Sequence, residues 1–247
     1  MPVFQPLQHS PVLSLNNLGV ELLKQGRFQE ALDVFTKSLL VLQSDNAGRD
    51  DEPFVAMVPR LAAFVNSSVP SSMDEDITAP YGSIFPFYSR TFYLKEINAD
   101  QDSHEVTPSM GDELAEEDSM LAFEVVAYHC ALAHHVLAIL HHSDGHFLKA
   151  LSLYEIVFRA MRGSDITDHP ILVLMLAVTN NVGFINSHFH DHDKLQFCLH
   201  FLQELHTFVA GHEDDTGYLL LDNQEHFFFF TTSLLYQKMT LGMAAAA

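Results

Sequence analysis

Sixteen histidines are the first feature with chemical potential, because imidazole is both an acid–base group near neutrality and a transition-metal ligand. The run HFHDHD, residues 188–193, places His188 and His192 four residues apart, with His190 between them and carboxylates at Asp191 and Asp193. Two imidazoles one helical turn apart are a common grip for zinc or nickel. Such a site needs further ligands and an outer set of groups to orient them, and the segment also falls where a turn is expected. His188, His190 and His192 are therefore the candidate ligands of a histidine-based Zn or Ni site, set against a plain polar turn. A second group, His134, His135, His141, His142 and His146, surrounds a helical pattern in which packing roles are expected for His134 and His141. No phosphate loop, dinucleotide fingerprint or nucleophile elbow is present. No serine or aspartate has a context that would activate it, so no catalytic residue and no cofactor is expected. An enzyme ranks third, behind a protein-binding module and a metal binder.

The elements that would carry these residues are legible in LNNLGVELLKQGRFQEALDVF, residues 15–35. Leu15, Leu18, Leu22 and Leu23 recur at helical spacing, and Gly19 between them leaves room for a close partner. Gly26 suits the left-handed residue that ends a helix. Phe28, Ala31, Leu32, Phe35 and Leu39 form the stripe of a second helix, with Ala31 as the small contact opposite Gly19. This pattern resembles a tetratricopeptide repeat through Leu18-Gly19, Leu22, Gly26, Phe28, Ala31 and Phe35. The family's aromatic near the start of the unit is Leu15 here, and its closing Pro is absent. Leu137-Ala138, His141, Gly145, Phe147, Ala150 and Tyr154 repeat the same offsets. Val182-Gly183, Asn186, His190, Leu195 and Leu199 do so again, with His190 where the turn Gly is expected. Asn180-Asn181-Val182-Gly183 also echoes Asn16-Asn17-Leu18-Gly19.

The resemblance implies an all-α fold of antiparallel helix pairs in an α-α superhelix, as a single domain over 1–247. Pair 1 is placed at 12–43, pair 2 at 119–162 and pair 3 at 168–210. Residues 44–118 form a partly irregular insertion. Within it, DEPFVAMVPRLAAFV reads as a helix interrupted near Pro59, and Phe87–Leu94 reads as one strand or a short hairpin. Residues 96–118, rich in acid and free of Lys and Arg, read as a mobile loop or an acidic docking segment. Residues 222–247 are expected to dock on the core, as a helix from near Asn223 capped by Asp222 and Glu225 or as a strand over Phe227–Thr232. The chain is also similar to a group of uncharacterised tetratricopeptide-like proteins of diatoms. The likeness runs through Ala131–His135, Lys149–Glu155, Asn180–Gly183 and the terminal alanines, and it implies a fold without a function.

Repeats of this family usually bind peptides on the inner face of the first helices. The resemblance places Asn16, Val20, His135, Ile139, Asn180 and Phe184 there. Asparagines can hydrogen-bond an extended backbone while apolar neighbours hold its side chains. The alternative is that the chain's own insertion or tail fills the face. The Lys, Asn and Arg of the family's chaperone C-terminal clamp are not matched, since Asn16, Val20, Ile139, Asn180 and Phe184 stand at those positions. The net charge of −20, from 12 basic and 32 acidic side chains, argues against nucleic acid and anionic membranes. It favours a neutral or basic protein partner. Cys130 and Cys198 lie in apolar runs and are expected as buried free thiols. MPVFQPLQHSPVL lacks the basic and apolar regions of a secretory signal, and no membrane span is expected, so the protein is read as intracellular. Oligomeric state has no signature in the sequence.

Overall fold

A computed structural model describes residues 11–47, 60–65, 87–97, 111–163, 169–211, 228 and 231–240. The chain is mostly helical. Helices α1 (Pro11–Lys24) and α2 (Phe28–Ala47) form a hairpin, as do α3 (Gly111–His141) with α4 (Asp144–Ala160), and α5 (His169–His188) with α6 (His192–Gly211). A short 3₁₀ turn, Met161–Gly163, follows α4, and residues 231–240 form a last helix, α7. Each hairpin also packs on the next, through α2 on α3 and α4 on α5.

The three hairpin turns use one device. Gly26 at φ +75°, His142 at +49° and His190 at +56° are left-handed residues just past α1, α3 and α5. In the first turn the Gly26 N–H donates to Leu23 O at 3.0 Å and the Arg27 N–H to Leu22 O at 2.9 Å. Ser143 to Ala138 O and Asp191 to Asn186 O repeat the longer bond, each at 2.9 Å. These bonds satisfy carbonyls that the helix end would otherwise orphan. His190 thus stands in the turn where its spacing put it. Gly145 does not: it lies in the first turn of α4, and His142 takes the left-handed position. The later positions of that unit keep their register, since Ala31, Ala150, Phe35 and Tyr154 are all fully buried.

Gly19 makes room for a different neighbour from the one its spacing suggested. The side chain over it is the Phe35 ring, which a Cβ at this position would overlap. Gly183 is similarly covered, with a Cβ there meeting Leu235 at 3.1 Å and Cys198 at 3.4 Å.

Strand β1 (Arg60–Val65) pairs antiparallel with β2 (Phe92–Ile97), from Arg60 opposite Ile97 to Val65 opposite Phe92. The broken helix expected over residues 51–65 is therefore a strand over 60–65. RLAAFV carries no strong preference, and pairing with β2 decides its conformation. β1 also packs on α3, and β2 on α1. The acidic segment 96–118 is not one loop: 96–97 end β2 and 111–118 open α3. Ala115, Glu116 and Glu117 are good helix formers, and the apolar body of α3 propagates helix back through them. Residues 98–110, Pro59, Asp222 and Glu225 lie outside the described residues.

The core runs through all three hairpins, with Tyr88, Tyr128, Tyr154, Phe35, Phe92 and Phe228 among its largest enclosed side chains. Phe228 and Leu235, both fully enclosed, seat the C-terminal segment on it. Met120–His141 and Ile171–His188 are long and apolar enough to cross a membrane, but 78% of each window is buried inside the fold. Their apolar composition is accounted for by the core they occupy.

Candidate peptide-binding face

Asn16 and Asn17 lie one turn into α1 where β2 crosses it. Asn17 holds both backbone groups of one residue: its Oδ1 accepts the Leu94 N–H at 3.1 Å and its Nδ2 donates to Leu94 O at 3.0 Å. Asn16, wholly buried, donates from Nδ2 to Phe92 O at 3.1 Å. The Phe92 N–H goes to His129 Nε2 at 3.0 Å, and His129 Nδ1 lies 2.8 Å from Asn16 Oδ1. An Nε2 that accepts leaves the ring proton on Nδ1, so this tautomer donates to Asn16 and the loop of bonds closes. Burial holds the His129 pKa down at about 3, which keeps Nε2 free to accept.

The other end of the segment repeats the arrangement on α5. Asn181 accepts the Tyr88 N–H at 2.6 Å and donates to Tyr88 O at 2.9 Å. Its Nδ2 also lies 3.0 Å from the Tyr154 hydroxyl. Tyr128 donates its hydroxyl toward Tyr88 O and Arg90 O, at 3.3 and 3.1 Å. Between the clasps the side chains fill apolar seats. Phe87 stacks on His135 with ring centres 4.4 Å apart, Phe92 meets Tyr128 edge-on, and Tyr88 stacks on Phe228. Extended backbone held by amide pairs, with side chains in alternate pockets, is the geometry by which a groove binds a peptide. Here the peptide is the chain's own residues 87–94.

The six residues assigned to this face are thus divided. Asn16 touches the segment's backbone, and His135 and Phe184 touch the Phe87 ring. Val20 is fully buried in the core beside α2, and Ile139 is half-buried against it. Asn180 is buried, with its Nδ2 3.4 Å from Asn181 Oδ1. Lys238 on α7 lies over the outer part of the Phe184 ring, 5.0 Å from its centre. The face is occupied rather than open. Asn17, Asn181, His129 and Tyr128 were missed as its polar groups. The repeated Asn-Asn doublet was the signal for Asn17 and Asn181, and in each doublet it is the second asparagine that holds both the N–H and the C=O of one residue.

The histidine runs are not gathered into a site. His188 Nε2 pairs with Asp144 Oδ1 at 3.0 Å, and its ring packs on Phe147. His190 is in the turn, and among the described residues no three His, Cys, Asp or Glu side chains are grouped as metal ligands. His134 and His146 do meet, Nδ1 to Nδ1 at 2.9 Å, which requires one ring nitrogen to donate and the other to accept. Burial and the neighbouring His146 lower the His134 pKa to about 4. His135 is enclosed by Phe87, Phe147, Tyr154 and Phe184, and neither ring nitrogen has a hydrogen-bond partner. Its pKa falls to about 3 through burial, then the nearby His188. Cys130 and Cys198 are free thiols pushed up to about 12 by burial, which leaves them protonated and weakly nucleophilic.

Comparison of the chain with protein-family models, curated proteins and solved structures gives no match.

Proposed function

We propose that this protein is a non-catalytic interaction scaffold of tetratricopeptide-like helix pairs, whose inner face recognises an extended peptide through paired asparagine clasps. The carrying observation is the pair of two-ended amide clasps, Asn17 on Leu94 and Asn181 on Tyr88, at equivalent positions of the first and third hairpins. Amide-to-backbone bonds read the main chain rather than a sequence, and the aromatic seats for Phe87 and Phe92 supply selectivity. In this reading the 87–94 segment is a built-in ligand, and the groove's chemistry prefers an aromatic-rich strand. The acid excess of the whole chain disposes it toward neutral or basic partners.

The reading is tested by supplying the segment in trans. Residues 87–94 are replaced by a Gly-Ser linker, and a fluorescent peptide spanning residues 86–98 is titrated in. The expected result is saturable binding, accompanied by a gain in helicity if the linker chain is partly unfolded, and lost when Asn17→Ala and Asn181→Ala are added. No binding and no recovery of structure would overturn the reading.

A further inference from the structure

On the side of α5 away from the clasped segment, α4 and α6 border a half-open cavity of about 430 Å³. Thr179, Val182 and Asn186 of α5 line it, together with Phe158 of α4, Arg162 of the 3₁₀ turn that follows, and Phe197 and Cys198 of α6. Its size falls in the range of small-molecule sites. The aromatic wall is assembled: Phe158 meets Phe197 and Phe201 edge-on, with ring centres 6.4 and 5.3 Å apart.

Two polar observations set the chemistry. Asn186 is 1% exposed, yet its Nδ2 has no hydrogen-bond partner. Its main-chain oxygen is already used by Asp191, and the neighbouring Cys198 thiol is a weak partner at best. A buried donor left unmatched costs about 1–3 kcal/mol; Asn186 lines the cavity but its nitrogen is shielded, so a ligand bearing an acceptor would gain once the amide turns toward it. The second observation is charge. Three of the chain's twelve Lys and Arg, Arg159, Arg162 and Lys194, line this one cavity, against two acids, Glu155 and Asp193. Arg159 is held by Glu155 at 3.6 Å and Lys194 by Asp191 at 3.4 Å. Arg162 has no carboxylate partner among the described residues and rests over Phe158, 5.7 Å from the ring centre. With Asp191 counted, three cations face three acids, so in a protein of net charge −20 this rim is neutral where the chain as a whole is strongly acidic.

We infer that this outer cavity is a binding site for a small aromatic carboxylic acid, its ring laid against the wall that Phe158 and Phe197 form and its carboxylate met by Arg162, with the Asn186 amide turning to offer its Nδ2 to an acceptor. The Thr179 hydroxyl already donates to Met175 O at 2.8 Å and leaves the donor role to Asn186. The site is separate from the inner face and does not depend on how that face is used.

The test is calorimetric titration of the full chain with 1-naphthoate, beside the neutral 1-naphthalenemethanol. One-to-one binding of the acid is expected, with the alcohol weaker by about tenfold or more, the loss of one charged hydrogen bond. Arg162→Gln, on an exposed side chain, should weaken naphthoate by a similar factor, and Asn186→Leu should weaken it too. Lys37→Gln, an exposed cation on α2, should leave binding unchanged. Because the chain contains no tryptophan, Phe197→Trp provides a single reporter whose emission should change on binding. No saturable binding by the native chain, equal affinity for the alcohol, or affinity unmoved by both pocket variants would overturn the inference.

Discussion

Asn181 and Asn186 stand on the same helix, little more than a turn apart, and both are almost wholly buried. The first grips both the N–H and the C=O of Tyr88; the second has an amide nitrogen with no hydrogen-bond partner. The same residue type on α5 therefore marks two different faces. Toward the inside, amides match a backbone strand and the space is filled by aromatic rings. Toward the outside, an unmatched amide borders a cavity with cations at its edge. Burial alone does not separate a structural polar group from a binding one; the partner count does.

This contrast can be broken most sharply by making the same change at both sites. Asn181→Leu removes the acceptor of the buried Tyr88 N–H and one of the donors to Tyr88 O, and a loss of about 2 kcal/mol is expected by urea unfolding. Asn186→Leu removes an unmatched donor in favour of an apolar group, and should leave stability unchanged or raise it by up to about 1 kcal/mol. Opposite signs, or at least a clear gap, support the distinction; equal losses would erase it. Gly19→Ala forces the Phe35 ring away from α1 and should cost about 2 kcal/mol, without affecting the outer cavity.

A finer test uses His135, which lies against the clasped segment with both nitrogens unmatched. Its folded pKa of about 3 lies below the ordinary imidazole value of 6.5, so the unfolded chain takes up a proton that the folded chain refuses. That contribution to stability is complete above pH 6.5 and is lost as pH falls from there toward 3. His129 acts in the same direction over the same window. Glu124, raised to about 7 by burial, opposes them, because the folded chain keeps a proton between about 4.5 and 7 that the unfolded chain releases. With His134, also lowered, three histidines against one carboxyl leave stability falling with acidification. His135→Phe should therefore be nearly neutral at pH 7.5 and stabilise by about 1.4 kcal/mol at pH 5.5, one pH unit below the reference value. An unchanged difference between the two pH values would show that His135 is not held neutral.

The helical pairs were the most legible part, because Leu, Gly and Ala at fixed offsets answer directly to helix packing. The location of the turns was less so. Gly26 and His190 were read correctly, while His142 was passed over for Gly145, since a histidine in a left-handed turn has no composition signal of its own. Of the six residues assigned to an inner face, Asn16, His135 and Phe184 touch residues 87–94. Its filling by residues 87–94 was one of two open alternatives, because a contact between residues 76 or more positions apart leaves no periodic trace. β1 was missed for a related reason: Leu-Ala-Ala-Phe suits a helix as well as a strand, and its partner lies across an insertion. The outer cavity was invisible, as Asn186 and Arg162 meet only after three helices have packed.

The central claim, that the inner face clasps the chain's own strand, is tested most directly by hydrogen exchange resolved at the amides of Tyr88, Phe92 and Leu94. Their donors end on Asn181, His129 and Asn17. The account requires them to exchange as slowly as the central amides of α5, with Tyr88 released selectively by Asn181→Ala. Exchange at the rate of an open chain, while α5 stays protected, would contradict it.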